Sequence, residues 1–318
     1  MSNASVAAPP APVDLFSWIN SVRSDLRPPV GNKLLFGAGQ HKVMVVGGPN
    51  ARRDFHIERG EELFLQLEGD MVLEVVERGR HRAVPIRAGE VFLLPGDTPH
   101  SPQRAADTVG LVLERARLPG EVDALRWYTP DGSGRLLYEE AFACTDLGTQ
   151  LRPVIERFNA SEACRSGEPT AGAPESATHE GVRVNADRDL GAPVALREWA
   201  AAQRGGSAPA SVVLFGAGAS EAAHADFDYS VAVKLAPDAE WEREWQWARG
   251  GGELFLFQFS GSGELDVLDV RSGSVTSHYL RAGHVLLLPA GGLYKAKARW
   301  QPGDCICLVI TNCKAATE

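Results

Sequence analysis

Three blocks of this chain occur twice, in the same order. Leu35-Phe36-Gly37-Ala38-Gly39 returns as Leu214-Phe215-Gly216-Ala217-Gly218, and Gly60-Glu61-Glu62-Leu63-Phe64-Leu65 returns as Gly251-Gly252-Glu253-Leu254-Phe255-Leu256. Arg87-Ala88-Gly89-Glu90-Val91-Phe92-Leu93-Leu94-Pro95 returns as Arg281-Ala282-Gly283-His284-Val285-Leu286-Leu287-Leu288-Pro289. An ordered repeat of this kind marks a duplication, so the architecture of one half is the architecture of the other. The 318 residues, at roughly 150 per domain, agree with two domains.

Between Leu34 and Val112 the apolar residues fall in short runs, around Val43, Leu65, Val75, Phe92 and Leu111, separated by Gly, Pro and charged residues. Such runs read as strands of an all-β domain. Many short antiparallel strands with Gly-rich turns suit a double-sheet jelly roll, so the chain is expected to hold two jelly-roll β-barrels with short peripheral helices. Helices are expected over Glu121–Tyr128 and Leu147–Asn159, the latter because Leu151, Val154, Ile155 and Phe158 recur at helical spacing. The stretch around 161–180 is rich in small, polar, Gly and Pro residues and reads as a linker. The expected division is therefore a first barrel at 13–160, the linker at 161–180 and a second barrel at 181–318, with Met1–Pro12 as a leader.

Lys+Arg 32 against Asp+Glu 41 gives a formal net charge of −9, which disfavours attraction to nucleic acid or anionic membranes. No run approaches the roughly 18–20 apolar residues of a spanning helix. Cys144, Cys164, Cys305, Cys307 and Cys313 include no Cys-x-x-Cys pair, so neither a disulfide scaffold nor a thiolate metal site is expected. Cys305 and Cys307 read as structural thiols in a strand. A reducing, cytoplasmic setting fits.

The first half contains His56, Glu62 and His100. Two imidazoles and one carboxylate can hold a divalent metal on one face and leave the opposite positions open, as in non-haem Fe(II) oxygenases. Arg59-Gly60 reads as a turn, so His56 and Glu62 are expected on adjacent strands; Pro95-Gly96-Asp97-Thr98-Pro99 can return His100 toward them. Taken alone, such a triple is more commonly three unrelated surface residues, and the wider pattern decides.

That pattern, Asp54-x-His56-x5-Glu62-x6-Gly69 followed by Gly89-x5-Pro95-x-Asp97-x2-His100, resembles the two motifs of the cupin superfamily, with Asp54 where a further His commonly stands. More specifically, Arg52–Glu58, Gly60–Phe64, Gln66–Met71, Pro99–Arg104 and Val109–Arg115 resemble the 3-hydroxyanthranilate 3,4-dioxygenase family in its long, two-barrel form. The resemblance implies His56, Glu62 and His100 as iron ligands, Fe(II) as cofactor, and Arg52, Arg104 and Glu114 as substrate-binding and catalytic residues. Asn32 matches a further position near the substrate, with a local turn role as the alternative. Two guanidinium groups suit an ionised carboxylate, and Arg104 offers a planar fork for it. Asp54 is expected behind the ligands, Glu61 on the opposite face from Glu62, and His41 and His81 at the surface.

In the second half Glu253 aligns with Glu62, but Trp247 stands against His56, Tyr294 against His100 and Ala298 against Arg104. That barrel is expected to be degenerate and metal-free, its aromatic residues filling the former site. The resemblance implies cleavage of 3-hydroxyanthranilate with O2 to 2-amino-3-carboxymuconate 6-semialdehyde, on the route from tryptophan to quinolinate and NAD, by a monomer. A cupin dioxygenase for another substituted anthranilate or aminophenol, and a non-catalytic cupin binding protein, are the alternatives.

Overall fold

The computed structural model describes residues 10–27, 31–169, 182–185, 187–204, 211–225, 227–235, 241–246, 252–290, 294–301 and 303–312. They divide into two compact units. One comprises Arg23–Leu35 and Lys42–Ala195, the other Met1–Val22, Phe36–His41 and Leu196–Glu318.

The first unit is a barrel of two six-stranded sheets. One sheet runs Val194–Ala195, Glu90–Leu94, Glu62–Glu68, Val109–Arg115, His41–Gly47, Asn32–Phe36; the other runs Leu136–Phe142, Asp123–Tyr128, Phe55–Ile57, His100–Arg104, Met71–Glu77, Arg80–Ile86. The alternation of Met71, Leu73 and Val75 with Val72 and Glu74 buries one face of that strand and leaves the other half-buried, the period of two that a sheet imposes. Arg78 and Gly79, both at positive φ, turn the chain tightly between the paired residues Glu77 and Arg80. Both turn positions in the left-handed region match the twist of a two-residue hairpin. Phe64, Met71, Leu73, Val75, Phe92 and Leu94 lead the core of this barrel.

The second unit repeats the plan. Its sheets run Val13–Asp14, His284–Leu288, Leu254–Ser260, Ile306–Asn312, Tyr229–Leu235, Ser211–Phe215 and Trp241–Gln246, Tyr294–Trp300, Ser262–Asp269, Val275–Arg281. Leu254, Leu256, Leu265, Val267, Leu280 and Trp300 belong to its core. The all-β, two-jelly-roll expectation is what the chain forms, and among the described residues no helix is long and apolar enough to cross a membrane.

The units do not follow chain order, unlike the expected 13–160 and 181–318. Val13–Asp14 pairs with His284 and Val285 of the second barrel, and Val194–Ala195 pairs with Glu90 and Val91 of the first. Each short strand opens a helix, Leu15–Val22 or Leu196–Gln203. The signal was present: Ala11-Pro12-Val13-x-Leu15-x2-Trp18 recurs as Ala192-Pro193-Val194-x-Leu196-x2-Trp199. Of the expected linker, Glu162–Ser166 is a short helix capped by the Ser161 hydroxyl, which accepts from the Cys164 N–H; residues 170–181 lie outside the described residues.

The expected helix at Glu121–Tyr128 is instead the strand Asp123–Tyr128, paired on one side with Phe55–Ile57 and on the other with Leu136–Phe142. Ladder pairing on both edges and burial of both faces outweigh any local helical preference. The helix Leu147–Ala160 forms as expected, with Asp146 as its N-cap accepting from the Gly148 N–H. Its Val154 and Phe158 are buried with Leu125, Trp127 and Leu137, and Phe158 stacks on Trp127 at 4.1 Å between ring centroids. Phe158→Ala should therefore lower unfolding free energy by about 3–5 kcal/mol in denaturant titration, the cost of an aromatic cavity; a loss below ~1 kcal/mol would show that this contact does not anchor the helix.

Candidate metal centre and substrate pocket

His56 sits in the middle of Phe55–Ile57. Its neighbours point outward, Phe55 against the rings of His81 and Tyr128 and Ile57 into a cluster with Ala124 and Val182, so alternation turns His56 into the barrel. His100 lies directly opposite it across the ladder. Glu62 comes from the other sheet, so the set spans the two sheets rather than adjacent strands. The turn before His100 is fixed by the Asp97 N–H donating to the Glu58 carbonyl at 2.7 Å and by the Arg59–Asp97 ion pair.

All three side chains are buried, and their ligand atoms lie within 4.8 Å of one another. The His100 Nδ1–H donates to the Thr98 carbonyl at 2.9 Å, which leaves Nε2 to face Glu62 Oε1 at 2.9 Å. The His56 Nε2–H donates to Asp123 at 2.8 Å, which leaves Nδ1 toward the same Glu62 oxygen at 3.7 Å. Two imidazole nitrogens and a carboxylate oxygen thus converge at one end of the barrel interior, a donor set that suits a cation among them. Burial opposes charge on both members, yet Asp123 and Glu62 push His56 up to about 9, and the imidazoles hold Glu62 well below the usual carboxylate range. Two imidazoles and a carboxylate fit a divalent transition metal.

Behind this set lies a second group of buried carboxylates, Glu58 and Glu114, with Glu62 common to both. Arg117 ties it together: it pairs with Glu58 and Glu114 and grips both oxygens of Asp123, at 3.0 and 2.7 Å. Burial, and then the neighbouring acids, raise the Glu58 carboxyl well above its ordinary range despite Arg117, whereas His56 and Arg117 outweigh burial at Asp123 and bring it to about 2. Sequence reading missed Asp123, Glu58 and Arg117. Asp123 holds the His56 ring; Asp54, expected in that role, instead accepts from Arg52.

A pocket of ≈ 540 Å³ opens onto the three ligands and is also lined by Asn32, Arg52, Arg104 and Glu114. Its apolar wall includes Met44, Val46, Phe64, Val112, Leu151 and Ile155. The structure therefore brings all seven sequence-selected residues to one cavity. Arg104 is 5% exposed, donates to Gln66 Oε1 at 3.0 Å, and has no carboxylate partner among the described residues, its Nε being without a hydrogen bond. Burial lowers its pKa to about 10. Gly110 makes the seat possible, since a Cβ there would lie 2.8 Å from Arg104 Nη1 and 2.8 Å from Gln66 Oε1. Arg52 differs, because Asp54 already takes its Nε at 3.1 Å.

In the second barrel, Glu253 accepts the His41 N–H at 2.7 Å, and the His41 ring Nε2 lies 3.0 Å from the Glu253 carbonyl and stacks on Tyr229. His41 is thus fully buried rather than at the surface, while His81 is exposed. Glu61 is also buried. Tyr294 and Ala298 lie in the apolar core with Cys305 and Cys307; Trp247 and Cys313 fall outside the described residues.

The family model for 3-hydroxyanthranilic acid dioxygenase matches residues 8–159. A 3-hydroxyanthranilate 3,4-dioxygenase of Bos taurus is 46% identical over 229 residues, which cover 68% of this chain and 78% of the relative. The chain belongs to the 3-hydroxyanthranilate 3,4-dioxygenase family. Relatives of the same name from Mus musculus and Homo sapiens are each 51% identical over 183 residues, 58% of this chain and 62% of theirs. Among solved structures, a mutant of Bacillus subtilis oxalate decarboxylase aligns at TM-score 0.53 with 13% identity, covering 98% of this chain and 79% of that one. A second structure of that enzyme, from work on its Mn(II) centers, gives 0.52 with 14% identity over the same shares of each chain. These structural likenesses bear on the bicupin fold alone.

If the triad is the metal centre, Glu62→Gln should abolish metal retention, and Asp123→Asn should weaken it roughly 10–100-fold while leaving the fold intact. Chelator competition with circular dichroism checks both; unchanged affinity in Asp123→Asn would remove its role behind His56.

Proposed function

We propose that the chain is a non-haem Fe(II) dioxygenase that cleaves 3-hydroxyanthranilate between ring positions 3 and 4 to give 2-amino-3-carboxymuconate 6-semialdehyde. The observation that carries this reading is a buried guanidinium, Arg104, with no acidic partner among the described residues, in the same cavity as the His56, Glu62 and His100 set. A buried cation facing a pocket is a site for an anionic ligand group, and the planar fork of arginine matches a carboxylate.

His56, Glu62 and His100 would hold the iron. When bound, it supplies the one-electron chemistry by which dioxygen reacts with a spin-paired aromatic ring. The chain does the remainder. Arg104 takes the carboxylate and fixes which ring edge faces the centre, and Arg52, partly neutralised by Asp54, adds positive potential at the mouth. Glu114 accepts from the amine or hydroxyl, and Asn32 contributes a polar wall opposite. Phe64, Val112, Met44, Val46 and Ile155 flank the ring and keep water out. Both oxygen atoms enter the product, so no reductant is required.

Every residue of this pocket belongs to the first unit, and the reading includes a monomeric enzyme. Free buried thiols at Cys144, Cys305 and Cys307 support a reducing, cytoplasmic location.

The iron-loaded protein should consume oxygen one-for-one with 3-hydroxyanthranilate and use 2-aminophenol, which lacks the carboxylate, far less well. Arg104→Lys should raise KM for the carboxylated substrate about 10–100-fold, the worth of a charged hydrogen-bond pair, with little change for 2-aminophenol. An unaltered preference between the two would remove Arg104 from carboxylate recognition.

A further inference from the structure

Arg117 stands behind both halves of the site. Its guanidinium is largely buried, with 11% of the side chain exposed, and three carboxylates crowd onto it. Nε and Nη2 donate to the two oxygens of Asp123, and Oδ2 of that carboxylate also accepts from His56 Nε2 at 2.8 Å. Nη1 donates to Glu114 Oε2, and Nη2 forms an ion pair with Glu58. Glu114 in turn lines the pocket and lies across the ladder from Glu62.

We infer that Arg117 is a positioning residue: by clamping Asp123 it fixes the orientation of the ligand His56, and by clamping Glu114 it holds that carboxylate for substrate and away from the metal. The need for both actions follows from distance. Carboxylate oxygens of Glu58, Glu62 and Glu114 come within 4.8 Å of one another, so they too form a ligand-capable group. A divalent ion held by Glu62 would attract Glu114 strongly in an interior of low dielectric. An additional carboxylate on the metal would fill a position that the two-imidazole, one-carboxylate set leaves open. Arg117 opposes this with a competing, geometrically fixed hydrogen bond on Glu114 Oε2. Lysine cannot replace it, because a point ammonium cannot grip Asp123 with two parallel bonds and reach Glu114 in the same pose.

The inference rests on reading His56, Glu62 and His100 as metal ligands, so its test uses metal alone. Co(II), whose visible absorption reports coordination number and donor set, is titrated into the full chain and four variants, with affinity from chelator competition. Arg117→Lys should weaken Co(II) binding roughly 10–100-fold and change the absorption spectrum. Adding Glu114→Gln to Arg117→Lys should return the spectrum toward that of the unaltered chain, because the carboxylate free to move is gone. Adding Asp123→Asn to Arg117→Lys should weaken binding little further, since both act through His56. Arg126→Lys is the control: it is a buried arginine paired with Glu139, and should bind Co(II) as the unaltered chain does. Should Arg117→Lys fail to fold, Arg117→Lys with Glu58→Gln removes one of the buried acids it leaves unpaired and is measured in its place. The inference is overturned if the Arg117 variant keeps both affinity and spectrum, or if Arg126→Lys reproduces its effect. Absence of Co(II) binding by the unaltered chain would instead overturn the metal-centre reading itself.

Discussion

The first barrel brings two imidazoles and a carboxylate within 4.8 Å of one another. His56 and His100 face each other across one ladder, Glu62 reaches them from the other sheet, and each imidazole spends its N–H on a group behind it, Asp123 or the Thr98 carbonyl. Such a donor set suits a cation. The fold supplies the convergence by strand register, and register is hard to disturb locally, because a slip of one residue would turn His56 outward and Phe55 inward. The convergence of these three side chains is thus a property of the barrel.

Charge is partitioned around that point. On one side Arg117 gathers Asp123, Glu114 and Glu58 into a buried network that faces the ligands from behind. On the other, Arg104 is held by Gln66 and seated over Gly110, without an acidic partner among the described residues. The first cation is satisfied within the protein; the second is, in the proposed reading, the one that takes a ligand carboxylate. Burial of a lone guanidinium is costly, and a bound carboxylate would offset it. This asymmetry between two buried arginines on one barrel is what supports the proposed carboxylate substrate.

Much of this was legible in the sequence. Motif spacing carried His56, Glu62 and His100, the repeat carried the two-barrel plan, and resemblance to a family carried Arg104 and Glu114. The remainder depended on facts that spacing does not encode. Asp123 lies far from His56 in sequence and meets it only because Asp123–Tyr128 is a strand beside Phe55–Ile57, where a helix was expected. Arg117 follows a strand and reads as an ordinary surface charge until its three partners are placed. Asp54, adjacent to His56 in the motif, is drawn off by Arg52. The exchanged opening strands could have been found, since Ala-Pro-Val-x-Leu occurs before each barrel, but a short repeat outside the strand-rich regions carries little weight until pairing gives it meaning. His41 shows the reverse, a histidine without motif context that is buried, its backbone N–H donating to the Glu253 carboxylate and its ring Nε2 meeting the Glu253 carbonyl.

In the proposed enzyme one pocket combines a metal held by His56, Glu62 and His100 with carboxylate recognition at Arg104, to insert dioxygen into an aromatic ring. A single turnover of the iron-loaded protein with 3-hydroxyanthranilate under isotopically labelled oxygen, followed by mass spectrometry of the trapped product, tests it most directly. The expected result is a ring-opened product carrying both labelled atoms. Substrate recovered intact from a protein shown to hold iron, or a product carrying only one labelled atom, would contradict it.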